Sequence, residues 1–257
     1  MALSNHGPRG MSFDLTGCTA LVTGASGGIG GAISRAFADA GAELVFVIEP
    51  GQDATVRGCG EGIRDVVPLD LASHEGRSDS LGALVEKHAV DIVVNAAGRI
   101  TRGASESFED HDWYDVIEVN LHAAFDASRA AGRAMIAHGR GGKIINIASL
   151  LSFQGGINVA SYAASKHALV GLTRALANEW AGYGINVNAI APGYVETPLA
   201  AALRQDPERY DAITARIPAG RWASPDDIGG AAVFLASAAS DYVHGHVLVV
   251  DGGWMAR

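Results

Sequence analysis

The chain has 257 residues, 48% of them apolar, with 33 glycines, 7% aromatic side chains and a formal net charge of −9. That length suits one large α/β domain and leaves little room for a second. An acidic chain without a basic run speaks against nucleic acid as a partner, and its apolar runs are too short to span a bilayer.

The first dozen residues are polar and rich in Gly and Pro, so residues 1–12 are expected to form a flexible tail ahead of a single domain over residues 13–257. From there short β-branched runs alternate with longer helical stretches. Strands are expected at Thr19–Thr23, Leu44–Ile48, Val66–Pro68, Ile92–Asn95, Lys143–Ala148, Asn186–Ile190 and Val247–Val250. Each is apolar through its middle, as strands buried on both faces should be. Helical periodicity fills Gly28–Asp39, Asp79–His88, His111–His138, Ser161–Tyr183 and Asp226–Ala238. Strands alternating with helices predict a parallel, doubly wound sheet with helices on both faces.

Two stretches depart from that rhythm. Pro50–Gly62 holds four glycines and a proline and reads as a loop or a stunted helix. Thr197–Ile217 is helical in part and leaves the carboxyl end of a strand, the place for a lid. Cys18 and Cys59 read as two reduced thiols of a soluble cytoplasmic protein, and no charged-then-apolar leader opens the sequence. No His/Cys/carboxylate cluster has metal-ligand spacing, so no metal is expected.

Thr23–Gly30 (TGASGGIG) joins the first strand to the first helix. Glycines in such a turn let the backbone approach a pyrophosphate, and the helix start offers free N–H groups and a positive dipole end. Gly24, Gly28 and Gly30, with Ser26 and Ile29 between them, are therefore candidate phosphate contacts; a tight turn that binds nothing is the alternative. Glu49 ends the second strand, where an acid commonly meets the adenosine ribose hydroxyls and repels a 2′-phosphate, which favours NAD over NADP. It sits one place later than the usual acid, with Ile48 in that slot, and a solvated strand-end charge is the alternative. Gly27 leaves the turn without a cation; Arg57 is the nearest basic residue downstream of the strand. Asp70, followed by Leu71, could bond the adenine edge or cap a helix. Asn95, Ala96, Ala97 and Gly98 end the fourth strand with small residues that leave space beside a ribose, or simply make a turn.

Tyr162 and Lys166 stand four apart at the start of a helix, on one face. A free phenol titrates near pH 10 and is a poor base, but a nearby cation favours the phenolate. The sequence has three lysines and six tyrosines, so a chance spacing of four is expected only about 0.07 times. Ser149 ends the fifth strand and could hydrogen-bond a substrate oxygen, although serine is also an ordinary turn former. Asn120 sits on a helix expected to pack on the sheet; it could hold a relay water or serve a structural hydrogen bond.

Together, Thr23–Gly30, Asp70, Asn95–Gly98, Asn120, Ser149, Tyr162/Lys166 and Pro192-Gly193 resemble the short-chain dehydrogenase/reductase family over almost the full length. The resemblance implies a single Rossmann domain with a seven-stranded parallel sheet, a nicotinamide cofactor, and a dimer or, by preference, a homotetramer joined through long helices. It implies Tyr162 as acid/base, Lys166 lowering its pKa and binding the nicotinamide ribose, Ser149 orienting the substrate oxygen, and Asn120 supporting a relay. Pro192, Gly193, Val195 and Thr197 would hold the carboxamide. A narrower likeness, in Lys143–Gly156, Ile185–Tyr194, Ile217–Trp222 and Val250–Arg257, is to the branch that oxidises sugar acids such as 2- or 3-deoxy-gluconate derivatives with NAD. For an anionic substrate Arg102 is the first candidate partner, Arg99 and Arg221 its rivals, with Gln154 for hydroxyls. The alternatives are a carbonyl reductase or polyol dehydrogenase on neutral substrates and, remotely, a non-catalytic dinucleotide-binding regulator.

Overall fold

The computed structural model describes residues 12–52, 59 and 62–257. Seven strands form one sheet: β1 (Thr19–Thr23), β2 (Glu43–Ile48), β3 (Ile63–Pro68), β4 (Ile92–Asn95), β5 (Gly142–Ile147), β6 (Ile185–Pro192) and β7 (Val247–Val250). All pairs are parallel, in the order β3-β2-β1-β4-β5-β6-β7. The helices are α1 (Gly28–Asp39), α2 (Arg77–His88), α3 (Asp110–Ile117), α4 (Ala123–His138), α5 (Ala160–Trp180), α6 (Ala201–Arg204), α7 (Pro207–Arg216) and α8 (Asp226–Ala236). This is the doubly wound Rossmann architecture expected from the sequence.

The strands lack clean polar alternation because both faces are covered. Ala20, Val22, Phe46, Val94 and Ile145 face one layer, packing with Ile33 and Phe37 of α1 and Ile228 and Leu235 of α8. Their neighbours Leu21, Val45, Val47, Val93 and Ile144 face the other, against Leu81 and Val85 of α2, Ala127 and Ala131 of α4, and Leu176 of α5. Side chains alternate between the two cores at the strand period of two. The edge strands β3 and β7 are only half buried, which departs from the expectation of complete burial and follows from their having one neighbour each.

The order of connection reverses between β1 and β4, so a crevice opens at their carboxyl ends. The long helix expected over His111–His138 is three pieces. A π-helical turn at Glu118–His122 separates α3 from α4; it inserts one residue into the hydrogen-bond register and presents Asn120 inward. After β2, Pro50–Gln52 form a turn that brings Gln52 to the crevice; Arg57, most of the 50–62 segment and all but Ser12 of the expected tail lie outside the described residues. No helix of the described residues is long and apolar enough to cross a membrane.

Candidate active site

A cleft of about 830 Å³ runs along the carboxyl ends of the strands, from Glu49 and Asp70 at one end to Tyr194, Arg216 and Trp254 at the other. Its floor at the first end is the β1–α1 turn. Gly24 has φ +67, and a Cβ there would come within 2.7 Å of the Ala97 Cα. At Gly28 an added Cβ would meet the Thr197 methyl at 2.8 Å. At Gly24 the missing side chain lets two backbone segments close on one another, as a pyrophosphate cradle requires, and at Gly28 it leaves room for the Thr197 side chain. Gly27 caps α1 without a side-chain hydrogen bond, so no capping side chain engages the N–H groups at the helix's positive end. The Thr23 hydroxyl oxygen accepts from the Ala96 and Ala97 amides at 3.2 Å each, which ties the glycine turn to the turn after β4.

Of the residues marked out in the sequence for the dinucleotide, Gly24, Ser26, Gly28, Ile29, Gly30, Glu49, Asp70, Leu71, Ala96, Ala97, Gly98, Pro192, Gly193, Val195 and Thr197 line this cleft. Asn95 does not. Its amide turns into the protein and donates to Asn146 at 2.8 Å and Ser128 at 3.1 Å, because a buried amide must find partners. Asn120 also stands behind the wall. Its amide oxygen accepts from the Arg99 N–H at 2.8 Å, while its nitrogen donates to the Arg99 carbonyl and the Ser165 hydroxyl, both at 3.0 Å. The side chain thus holds the Arg99 peptide on both sides.

At the middle of the cleft α5 presents Tyr162 and Lys166, 9% and 3% exposed. Lys166 Nζ donates to the Ile147 carbonyl at 2.6 Å and lies 5.7 Å from the Tyr162 ring centroid. Ser149 leaves β5 in extended conformation and caps a short turn, its oxygen accepting from the Leu151 amide at 3.2 Å. Ser152 returns the favour to the Ser149 amide and donates to the Lys166 carbonyl at 2.8 Å, locking the turn to α5. Burial pushes the Tyr162 phenol above its ordinary value; a hydrogen bond with Ser149 and the charge of Arg102 work against that rise. Burial draws the Lys166 ammonium down to about 8. The counterweights on the phenol are therefore Ser149 and Arg102, whereas the ammonium points past the ring toward a strand carbonyl.

The far end is built by the 197–217 segment and the chain's last turn. Tyr194 packs on Trp222 and Trp254, at 5.1 and 4.8 Å between centroids, and Tyr210 of α7 stacks on Trp222 at 5.2 Å. These aromatic contacts pin α7 over the cleft, the position expected for a lid. Arg216 lies 3.8 Å above the Trp254 ring, and the indole N–H donates to Gln154 at 3.2 Å. Arg102, Arg209, Arg216 and Gln154 all line the cleft. No carboxylate among the described residues pairs with any of the three arginines. The rivals are otherwise engaged: Arg221 forks onto Asp227 at 2.7 and 3.0 Å, and Arg99 onto Glu49 and Asp115. Arg209, Arg216 and Trp254 escaped the reading of the sequence, although the first two sit in its expected lid.

Comparison with known proteins agrees with this geometry. The family model described as enoyl-(acyl carrier protein) reductase, of the short-chain dehydrogenase type, matches residues 24–255. The 2-dehydro-3-deoxy-D-gluconate 5-dehydrogenase of Bacillus subtilis is 51% identical over 249 residues, which cover 96% of this chain and 98% of that one. A Beutenbergia cavernae protein solved with NADP at low occupancy superposes with a TM-score of 0.91 at 53% identity, over 95% of this chain and 99% of that one. The gluconate 5-dehydrogenase of Burkholderia cenocepacia, solved with NADP and tartrate, gives 0.87 at 40% identity over 95% and 98%. A glycine-floored dinucleotide groove, a seven-stranded sheet in this order and near-complete overlap with such relatives lead to one conclusion: the chain belongs to the short-chain dehydrogenase/reductase family, oxidoreductases that act on CH–OH groups.

Proposed function

We propose that residues 13–257 form a dehydrogenase that interconverts a secondary alcohol and a ketone on a sugar acid, with NAD preferred. The observation that carries the substrate class is the trio Arg102, Arg209 and Arg216, lining the cleft beyond Tyr162 without carboxylate partners among the described residues. In a chain of net charge −9, three such guanidinium groups around one cavity call for an anion, and guanidinium forks suit a carboxylate. The names of the Bacillus subtilis and Burkholderia cenocepacia relatives, and the tartrate in the latter, support the same class. Glu49 at the ribose end supports NAD; the NADP in the two solved relatives makes this preference a quantity to be measured. The same reading carries a cytoplasmic homotetramer, as the family resemblance implies.

The glycine turn and α1 would hold the pyrophosphate, Glu49 and Asp70 the adenosine end, Lys166 the nicotinamide ribose, and the Pro192–Thr197 segment the carboxamide. A nicotinamide held there would supply hydride transfer and, in its oxidised form, a positive charge. Tyr162 takes the proton of the substrate hydroxyl during oxidation and returns it during reduction. Ser149, bonded to the phenol, orients the substrate oxygen, and Lys166, fixed by the Ile147 carbonyl, keeps a positive charge beside the phenolate. Asn120 positions the Arg99 peptide next to these groups.

Following nicotinamide absorbance with NAD or NADP against hexonates and neutral polyols tests this reading. Turnover of a hexonate, faster with NAD, is expected. Activity confined to polyols overturns the sugar-acid class, NADP-only activity removes Glu49 as selector, and dinucleotide binding without turnover points to a regulator.

Arg102 makes a sharper case. Arg102→Ala should raise KM for a hexonate by about tenfold, as loss of a charged anchor does. It should also move the rising limb of kcat/KM for oxidation to higher pH, because the cation favours the phenolate and its loss lets the Tyr162 pKa climb. An unchanged KM together with an unchanged pH profile would leave substrate binding to Arg209 and Arg216.

A further inference from the structure

The adenosine end of the cleft carries a chain of hydrogen-bonded polar groups. The Ser26 hydroxyl donates to the Gln52 amide oxygen. Gln52 Nε2 donates to one Glu49 oxygen at 3.0 Å, and Arg99 Nη2 donates to the other at 2.9 Å. The second arm of Arg99, Nη1, reaches Asp115 of α3 at 2.8 Å. Both oxygens of the carboxylate expected to meet the ribose are thus already partnered, and a guanidinium sits beside it. The Arg99 peptide is itself clamped on both sides by Asn120, so the side chain leaves from a fixed root and crosses the groove to Glu49. A guanidinium has five N–H donors, and two are taken up by these carboxylates.

We infer that Arg99 is a specificity-determining residue for the cofactor: it offsets the charge of Glu49 and offers the remaining donors to the 2′-phosphate of NADP, so that the enzyme admits NADP beside the preferred NAD. The inference rests on the placement of the adenosine ribose at Glu49. A lone carboxylate at that place repels a 2′-phosphate. Arg99 cancels one of the two negative charges of Glu49 and Asp115 and so weakens the repulsion, and a guanidinium binds phosphate through parallel N–H bonds. Asp115 holds Arg99 in reach and moderates its charge, which keeps NAD ahead.

Calorimetric titration of the full chain with NAD and NADP, without substrate, reads this directly. Arg99→Leu should weaken NADP by about tenfold while NAD changes less than about threefold, and Glu49→Gln should strengthen NADP. Arg99→Lys, which keeps the charge but cannot fork, should lie between Arg99→Leu and the parent. An unchanged NADP-to-NAD ratio in Arg99→Leu, with Glu49→Gln still shifting it, overturns the role of Arg99 and leaves the ribose placement standing. Unchanged ratios in both variants overturn the placement and the inference together. A retained NAD affinity in Arg99→Leu shows that the variant is folded.

Discussion

Tyr162→Phe is expected to lower kcat by about a thousandfold on any substrate, within the range that a positioned acid/base contributes, while the dissociation constants for NAD and NADP stay within about twofold. The split follows from the geometry. The phenol is nine-tenths buried against Val116, Val159, Ile100 and Leu151, so the ring keeps its packing when the hydroxyl goes. Lys166 keeps its bond to the Ile147 carbonyl and Ser149 its bond to the Leu151 amide. The hydroxyl that exchanges a proton with the substrate is lost, and with it its bond with Ser149. Stopped-flow turnover and calorimetry on the same preparation check both halves; near-normal turnover in the variant would remove Tyr162 as the acid/base.

The sheet was legible because each strand is a short β-branched run between turn residues, and β1, β4 and β7 fall where the pattern puts them. The Thr23–Gly30 turn and the Tyr162/Lys166 pair were legible for a related reason: local spacing fixes local geometry. What the sequence hid depends on distant partners. Nothing near Asn95 announces that Asn146 and Ser128 will claim its amide across two other elements. The π turn at Glu118–His122 has the composition of an ordinary helix and is visible only in its hydrogen bonds. Arg209 and Arg216 owe their place at the cleft to Tyr210, Trp222 and Trp254, distant partners that fix α7 above it. Arg99, weighed as a substrate anchor, is turned the other way by Glu49 and Asp115.

Arg77 is another such residue, and its removal is expected to cost the most stability. It is 1% exposed at the start of α2, with Nε on Asp126 at 2.9 Å and Nη1 on Glu118 at 2.9 Å and the Leu71 carbonyl at 2.8 Å. It therefore ties α2 to α4, to the π turn and to the turn after β3. Burial would raise the Glu118 carboxyl, but His122 and Arg77 outweigh it and hold it below its ordinary value. This contribution to stability is present above the ordinary carboxylate range and is lost as pH falls through the lowered value. Arg77→Met strands Asp126, which is 8% exposed with Arg129 as its remaining ion-pair partner. Breaking a buried pair in this way costs about 3–5 kcal/mol, a Tm lowered by roughly 6–20 °C for a chain of this size. The double variant Arg77→Met/Asp126→Leu should recover part of the loss, because an apolar pair of similar volume removes the stranded charge. A drop smaller than about 2 °C in the single variant would mean that the cluster contributes little. The Leu71 carbonyl, freed from Arg77, loosens the Asp70–Leu71 wall of the adenosine end, so NAD and NADP should weaken together. That common loss separates a wall that both cofactors share from the phosphate selection assigned to Arg99, whose removal should divide the two.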